Sequence, residues 1–330
     1  MTTVSPHYIL RFPFRLSSGQ VFANIEPFIE RKCGNLTVKL KELSGWYQLT
    51  LAPFQDESEA IGFIPRVYAG LMWTLLHNGL SPEATLEPQS IHYSSDPQGV
   101  ASHLSKSFDI KADRVDAILE GSCPAIYQSN KEIRIITGGN VSLTLGFDSA
   151  RSLDLICEAM VFPKSDSVVV DGKLQIALEL YSSFFREASA NARYLTLAMA
   201  LEALAPEEMK PQSVIELIED WKKEVQSRKA ALEIESEEWA AYDALEREID
   251  FRQQRSIRKR IRSLVNSVLH RHGDIDAIEV AKKAVLLYDK RGRLVHDGYL
   301  PGKELGDSTT QLREIVRRVL EARFIELTSG

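Results

Sequence analysis

Residues 286–298 read Leu-Leu-Tyr-Asp-Lys-Arg-Gly-Arg-Leu-Val-His-Asp-Gly, and in them Arg291 and His296 are the side chains best suited to chemistry. An imidazole titrates near neutral pH, so it takes a proton from a ribose 2′-hydroxyl or gives one to a leaving 5′-oxygen. A guanidinium clamps a phosphate through paired hydrogen bonds and meets the charge that builds in the transition state, which an ammonium does less well. Together they supply what metal-free cleavage of an RNA backbone requires, with products that carry a 2′,3′-cyclic phosphate.

The spacing imposes a condition. Five residues along a straight helix amount to a turn of about 140° and a rise of roughly 7.5 Å, so the two side chains would not share a face. Either Gly292 lets the chain bend just after Arg291, or the site forms between two copies of the chain. In the second case a two-fold interface would set both motifs around one groove. The bland reading stands beside it. Arg291 would then cap a helix ending at Lys290, Asp289 and Arg293 would make a surface ion pair at helical spacing, and His296 would be an ordinary, partly buried histidine.

The elements that must position these residues are helical. Residues 174–205 predict one long helix or two shorter ones breaking near 189–191, with Pro206 and Pro211 ending the run. A second helical stretch covers 212–272. Its first part is acidic (Glu233, Glu235, Glu237, Glu238, Asp243, Glu246, Glu248, Asp250) and its second basic (Arg252, Arg255, Arg258, Lys259, Arg260, Arg262). The preferred reading is a solvated hairpin whose opposite charges face one another. The sharper reading makes Arg255, Arg258, Lys259 and Arg262 a strip for an RNA backbone, partly cancelled by the neighbouring acids. Further helices are predicted over 275–290 and 308–327, the last with an apolar stripe of Leu312, Ile315, Val316, Val319 and Leu320.

In this order, the motif resembles the R-x4-H signature of HEPN ribonucleases (higher eukaryotes and prokaryotes nucleotide-binding). More narrowly, it is similar to the Apea-like branch, where a Leu-Tyr helix end precedes Arg, a small residue, an aliphatic pair and then His and Gly. The matching context is the helix ending Ala200-Leu201-Glu202-Ala203-Leu204, the charged middle, the 257–269 helix and the final amphipathic helix. The resemblance covers about 160 residues, none of them in the first half. It implies an all-helical bundle, dimers with facing motifs, and an acid on the first long helix that accompanies Arg and His, here Glu202. Active members often place Asn, Asp or His after the arginine, where this chain has Gly292. Tyr299 comes one position too late for the His-x-Tyr order of members whose tyrosine receives an AMP group, so that modification is not carried over.

The first half has a different texture, short β-branched or alternating runs with few helical ones, which predicts an α+β domain. Strands are expected over 7–15, 36–40 and 46–52, a hairpin over 133–147 with its turn at 137–140, and helices over 57–77 and 150–161. The expected organisation is therefore an α+β domain at 1–165, which senses or restrains, followed by a HEPN-like helical domain at 170–330.

Composition agrees with a folded chain: 330 residues, 44% hydrophobic and 26% charged. A net charge of -6 argues against coating nucleic acid by bulk attraction and confines any such site to a local patch. Cys33, Cys123 and Cys157 are odd in number and far apart without a C-x-x-C pair, which indicates neither a disulfide framework nor a zinc site and fits a reducing cytoplasm. His270-Arg271-His272 has too few neighbouring ligands for a metal, and no cofactor-binding run of the Walker type is present. Residues 1–12 lack a signal-like pattern and the apolar run 194–205 is interrupted by Glu202, so neither export nor a membrane span is expected. The leading expectation is a cytoplasmic protein acting on RNA in a toxin–antitoxin or phage-defence setting, as a homodimer with a regulatory protein partner. Two alternatives stay open: a catalytically inactive HEPN dimer that binds RNA or nucleotide, and a protein-interaction module.

Overall fold

The computed structural model describes residues 6–108, 112–136 and 145–329, apart from positions 18, 26 and 44. Strands β1 (Tyr8–Leu16), β2 (Gln20–Ala23), β3 (Ile29–Cys33), β4 (Leu36–Leu43) and β5 (Trp46–Phe54) open the chain. Helices α1 (Glu57–Gly62) and α2 (Ile64–Asn78) follow, then β6 (Pro82–Glu83), α3 (Pro97–Phe108), β7 (Ala117–Glu120), β8 (Ala125–Gln128), β9 (Ile133–Ile136), β10 (Leu145–Asp148) and α4 (Ser149–Met160). This is an α+β region built on an antiparallel sheet in the order β3-β4-β5-β1, with β8 and β6 sharing the free edge of β1.

Alternation along β1 explains why the sheet is covered on both sides. Leu10, Phe12 and Phe14 point to the apolar core, while Arg11 on the opposite face is only 1% exposed. A buried guanidinium needs acceptors. Arg11 donates to the Gln48 side chain and to the carbonyls of Glu120, Gly121 and Cys123, which fastens the turn before β8 over that face. Residues 67–76 of α2 are all buried, as expected of a helix enclosed on every side. Gly70 lets α4 approach: a Cβ there would lie 2.7 Å from the carbonyl oxygen of Ile156.

After a short 3-10 helix at Ser165–Val169, every regular element is an α-helix: α5 (Gly172–Arg186), α6 (Ala190–Leu204), α7 (Gln212–Lys229), α8 (Glu237–Phe251), α9 (Ile257–Arg271), α10 (Ala277–Asp297) and α11 (Gly302–Thr328). Compact packing divides the chain into residues 1–200 with 316–330, and residues 201–315, rather than at 165–170. In the first unit, Trp73 of α2 packs against Phe162 and against Phe324 of α11, with ring centroids 5.5 and 5.1 Å away.

Several expectations need correction. The 57–77 helix is two helices meeting at Phe63, whereas 174–205 takes the two-helix form of its expectation, with the break at 187–189. The 212–272 stretch is three helices, with Ser236 capping the second by accepting a hydrogen bond from the Trp239 amide. The turn of the 133–147 hairpin lies outside the described residues. Its described flanks pair elsewhere, β9 parallel to β7 and β10 parallel to β2. The helix expected to stop at Lys290 continues through Gly292 to Asp297, and it ends where Gly298 takes the left-handed conformation at φ 71°.

Candidate functional site

The 201–315 unit positions its polar residues through charge as well as packing. Acids of α8 are taken up by lysines of α7: Lys222 reaches Asp250 at 2.7 Å, and Lys229 reaches Asp243 at 2.5 Å and Glu246 at 3.1 Å. Behind them lie Ile218, Val225 and Ile249, with Tyr242 against them. The facing opposite charges of the expected hairpin thus occur between α7 and α8. The basic run of α9 is not their partner.

Helix α9 buries Ile261, Leu264, Val265, Val268 and Leu269, and α10 buries Val280, Ala281, Ala284, Leu287 and Tyr288. A connection of only five residues, 272–276, turns the chain back, so the two helices pack antiparallel. Arg258 meets Asp289 at 2.8 Å, so the start of α9 lies beside the last turns of α10. From α9, Arg260 donates to the carbonyls of Pro206 at 2.6 Å and Ala205 at 3.1 Å, just beyond the end of α6. Carbonyls at a helix end lack intrahelical partners, and a guanidinium satisfies them. The residues 201–206 that carry Glu202 are thereby tied to α9, and α9 to α10.

The consequence is a cluster of Glu202, Tyr288 and Arg291. Arg291 Nη2 lies 3.9 Å from Glu202 Oε2, and its guanidinium carbon lies 6.0 Å from the centre of the Tyr288 ring one turn earlier. Arg291 Nε is buried with no hydrogen-bond partner among the described residues. The side chains of Arg291 and Glu202 are 34% and 39% exposed, so the pair faces solvent and its Coulomb energy is strongly screened. Burial, and then the charge of Glu202, push the Tyr288 phenol above its ordinary range. On the neighbouring face, Lys290 contacts Glu304 at 2.9 Å and Ser308 at 3.0 Å, and Arg293 approaches Glu304 at 3.6 Å. The hydrogen bond from Lys290 holds the Glu304 carboxyl below the usual carboxylate range.

Of the residues singled out from sequence, Arg291 and Glu202 are therefore brought together. His296 is not brought to them: it sits exposed on the last turn of an α10 that runs unbroken through Gly292. That continuity removes both the bend after Arg291 and the reading of Arg291 as a cap. Asp289 pairs with Arg258 and Arg293 approaches Glu304, replacing the expected Asp289–Arg293 pair. Of the basic strip, Arg255 contacts Glu208 at 3.2 Å and Arg258 contacts Asp289. Lys259 and Arg262 are exposed, with no ion-pair partner among the described residues. The anchoring role of Arg260 and the position of Tyr288 against the Arg–Glu pair were not read from sequence. In a run of like charges, spacing does not tell which arginine turns inward.

Among the described residues, no group of three or more His, Cys, Asp or Glu side chains is placed to hold a metal ion, and no helix is long and apolar enough to cross a membrane. Compared with protein-family models, with curated proteins and with solved structures, the chain matches none.

Proposed function

We propose that the helical region is a HEPN-like domain of the Apea-like branch and acts on RNA as a homodimer. Arg291 grips a backbone phosphate, Glu202 orients the guanidinium, and His296 of a second copy moves the proton. One observation carries the reading: Glu202, singled out by its place on the helix that ends near residue 204, lies 3.9 Å from Arg291. The pair is about one-third exposed, so the side chain reaches solvent beside the carboxylate. A planar fork held by one carboxylate from the side leaves its outer N–H groups for phosphate oxygens. The reaction is then metal-independent endoribonuclease cleavage that leaves a 2′,3′-cyclic phosphate, in a toxin or phage-defence setting.

A specific observation favours a second reading. Because α10 is unbroken between Arg291 and His296, one copy alone holds the phosphate grip and the imidazole on different faces. If no second copy supplies the histidine, the domain binds RNA or nucleotide without cleaving it.

Labelled RNA incubated in EDTA with the full chain, His296→Ala and Arg291→Ala separates the readings. Cleavage by the wild type is expected to fall about 10²-fold or more in His296→Ala. Arg291→Ala loses both cleavage and binding. Mixing the two variants restores part of the activity, since mixed dimers contain one intact composite site. No cleavage by the wild type, or equal cleavage by His296→Ala, removes the enzyme. Salt-sensitive binding without cleavage, weakened by Arg291→Ala, selects the second reading.

A further inference from the structure

Outside the candidate site, the first unit brings together two cysteines that lie far apart in the chain. Cys33 ends β3 and Cys157 lies in α4; both thiols are free and buried, and Cys33 Sγ is 3.4 Å from the Cys157 carbonyl oxygen. A second link holds the same strand to the same helix, since Arg31 reaches Asp154 at 2.5 Å. Cys33 also lines a solvent-open cavity of about 720 Å³, with Leu36, Phe54, Arg66 and Met160 in its wall. Small oxidants therefore reach the wall that Cys33, and not Cys157, helps to form.

We propose that Cys33 and Cys157 form a hydroperoxide-reactive dithiol that closes to an intrachain disulfide. The Cys33 thiolate attacks the O–O bond of the hydroperoxide. An S–O bond forms, the O–O bond breaks, and the departing oxygen leaves as water or alcohol with the proton shed by the thiol. The Cys157 thiol then attacks the Cys33 sulfur. The S–S bond forms, the S–O bond breaks, and hydroxide leaves as water with the Cys157 proton. Two electrons pass from the sulfur pair to the peroxide, and two thiols have lost their hydrogens. The roles follow from access, because Cys33 faces the cavity. The thiols' electrostatics agree: a side-chain hydrogen bond in which the Cys157 thiol donates holds Cys33 below the ordinary thiol range, while that bond and burial hold Cys157 above it.

The test uses the full chain, reduced, freed of reductant and titrated with hydrogen peroxide, followed by non-reducing digestion and mass spectrometry. The expected product is a peptide pair joined through Cys33 and Cys157, lighter by two hydrogens and restored by dithiothreitol. Cys123→Ser gives the same product. Cys157→Ser stops at a sulfenic acid on Cys33 that a cyclic 1,3-diketone captures. Oxidation of the wild type also raises the thermal midpoint, since the bond closes a long loop in the unfolded chain, and Cys33→Ser abolishes that rise. Mapping the wild type needs no variant to fold. If Cys33 stays reduced while the half-exposed Cys123 is oxidised, or if the links formed involve Cys123, the proposal is overturned.

Discussion

Replacing Gly292 with alanine tests the geometry on which the two-copy site rests. Gly292 lies inside α10, its φ is not positive, and a Cβ built there meets no atom within 4 Å. The substitution therefore brings the propensity difference with no clash to offset it: glycine in a helix interior costs about 0.8–1.0 kcal/mol relative to alanine. A gain of about 1 kcal/mol corresponds to a rise of roughly 2–4 °C in the midpoint of the transition that melts α10. Gly298→Ala is the opposite control, because φ 71° there costs an alanine about 1–2 kcal/mol. Hydrogen exchange of peptides covering 286–300, read by mass spectrometry beside thermal melts of both variants, reports the change locally. Slower exchange in Gly292→Ala and faster exchange in Gly298→Ala are expected. Unchanged or faster exchange in Gly292→Ala would refute a continuous helix. RNA cleavage, where observed, should survive Gly292→Ala, and its loss in a stabilised α10 would show that the active form bends after Arg291.

Gly70→Ala places a methyl carbon 2.7 Å from the Ile156 carbonyl oxygen, backbone against backbone, so α2 and α4 must separate. We predict a loss of about 1–3 kcal/mol in denaturant unfolding, and a neutral result would mean the helices lie further apart than described. Asp116 gives a pH dependence of known sign. The paired hydrogen bonds from Arg114, then the Glu132 amide, hold its carboxyl below the ordinary range against the opposing effect of burial. Its stabilisation is therefore complete above the unfolded value of about 4 and lost as pH falls through the lowered folded value. The stability difference between wild type and Asp116→Asn should be flat above about pH 4 and shrink in acid; a difference that grows in acid would be inconsistent with this.

The elements that the sequence made legible were those long enough to show a period. Strands β1, β4 and β5 carry eight or nine residues each, enough for alternation to be read. Strands of two to five residues, such as β2, β3 and β6, carry no period of their own and exist because a longer neighbour supplies the hydrogen bonds. Inside 212–272 a hairpin and a 257–269 helix were read but the first break was not located, for lack of proline or glycine, although Ser236 followed by Glu237 and Glu238 is the ordinary signature of a helix start. Gly292 misled in the other direction, as a breaker type that neighbouring packing overrode. At the site, the Glu202–Arg291 contact was reachable only through the resemblance of the motif, since no periodicity relates α6 to α10. Asp289 was assigned to Arg293 because helical spacing offers the near partner first, while the antiparallel turn between α9 and α10 supplied Arg258 instead.

The pattern of ion pairs bears on why a basic run in an acidic chain could still meet RNA. Read along the sequence, the acids before Arg252 should cancel the cations after it. In three dimensions α7 has already taken up Asp243, Glu246 and Asp250, so these acids do not pair with α9. Within α9 and its approach, Arg255 and Arg258 are matched locally, while Lys259 and Arg262 are exposed with no ion-pair partner among the described residues. In the proposed function these two and Arg291 would be the few cations offered to RNA phosphates. At about 0.7 of a unit of salt slope per neutralised phosphate on a single strand, so few contacts would bind weakly and lose their hold at modest ionic strength. In the proposed dimer, two copies around one groove would double the number of contacts and bring the second imidazole to the first guanidinium. The weakness of one copy's contacts and the separation of Arg291 from His296 along α10 would thus have the same remedy, and an active form with one copy would leave both unexplained.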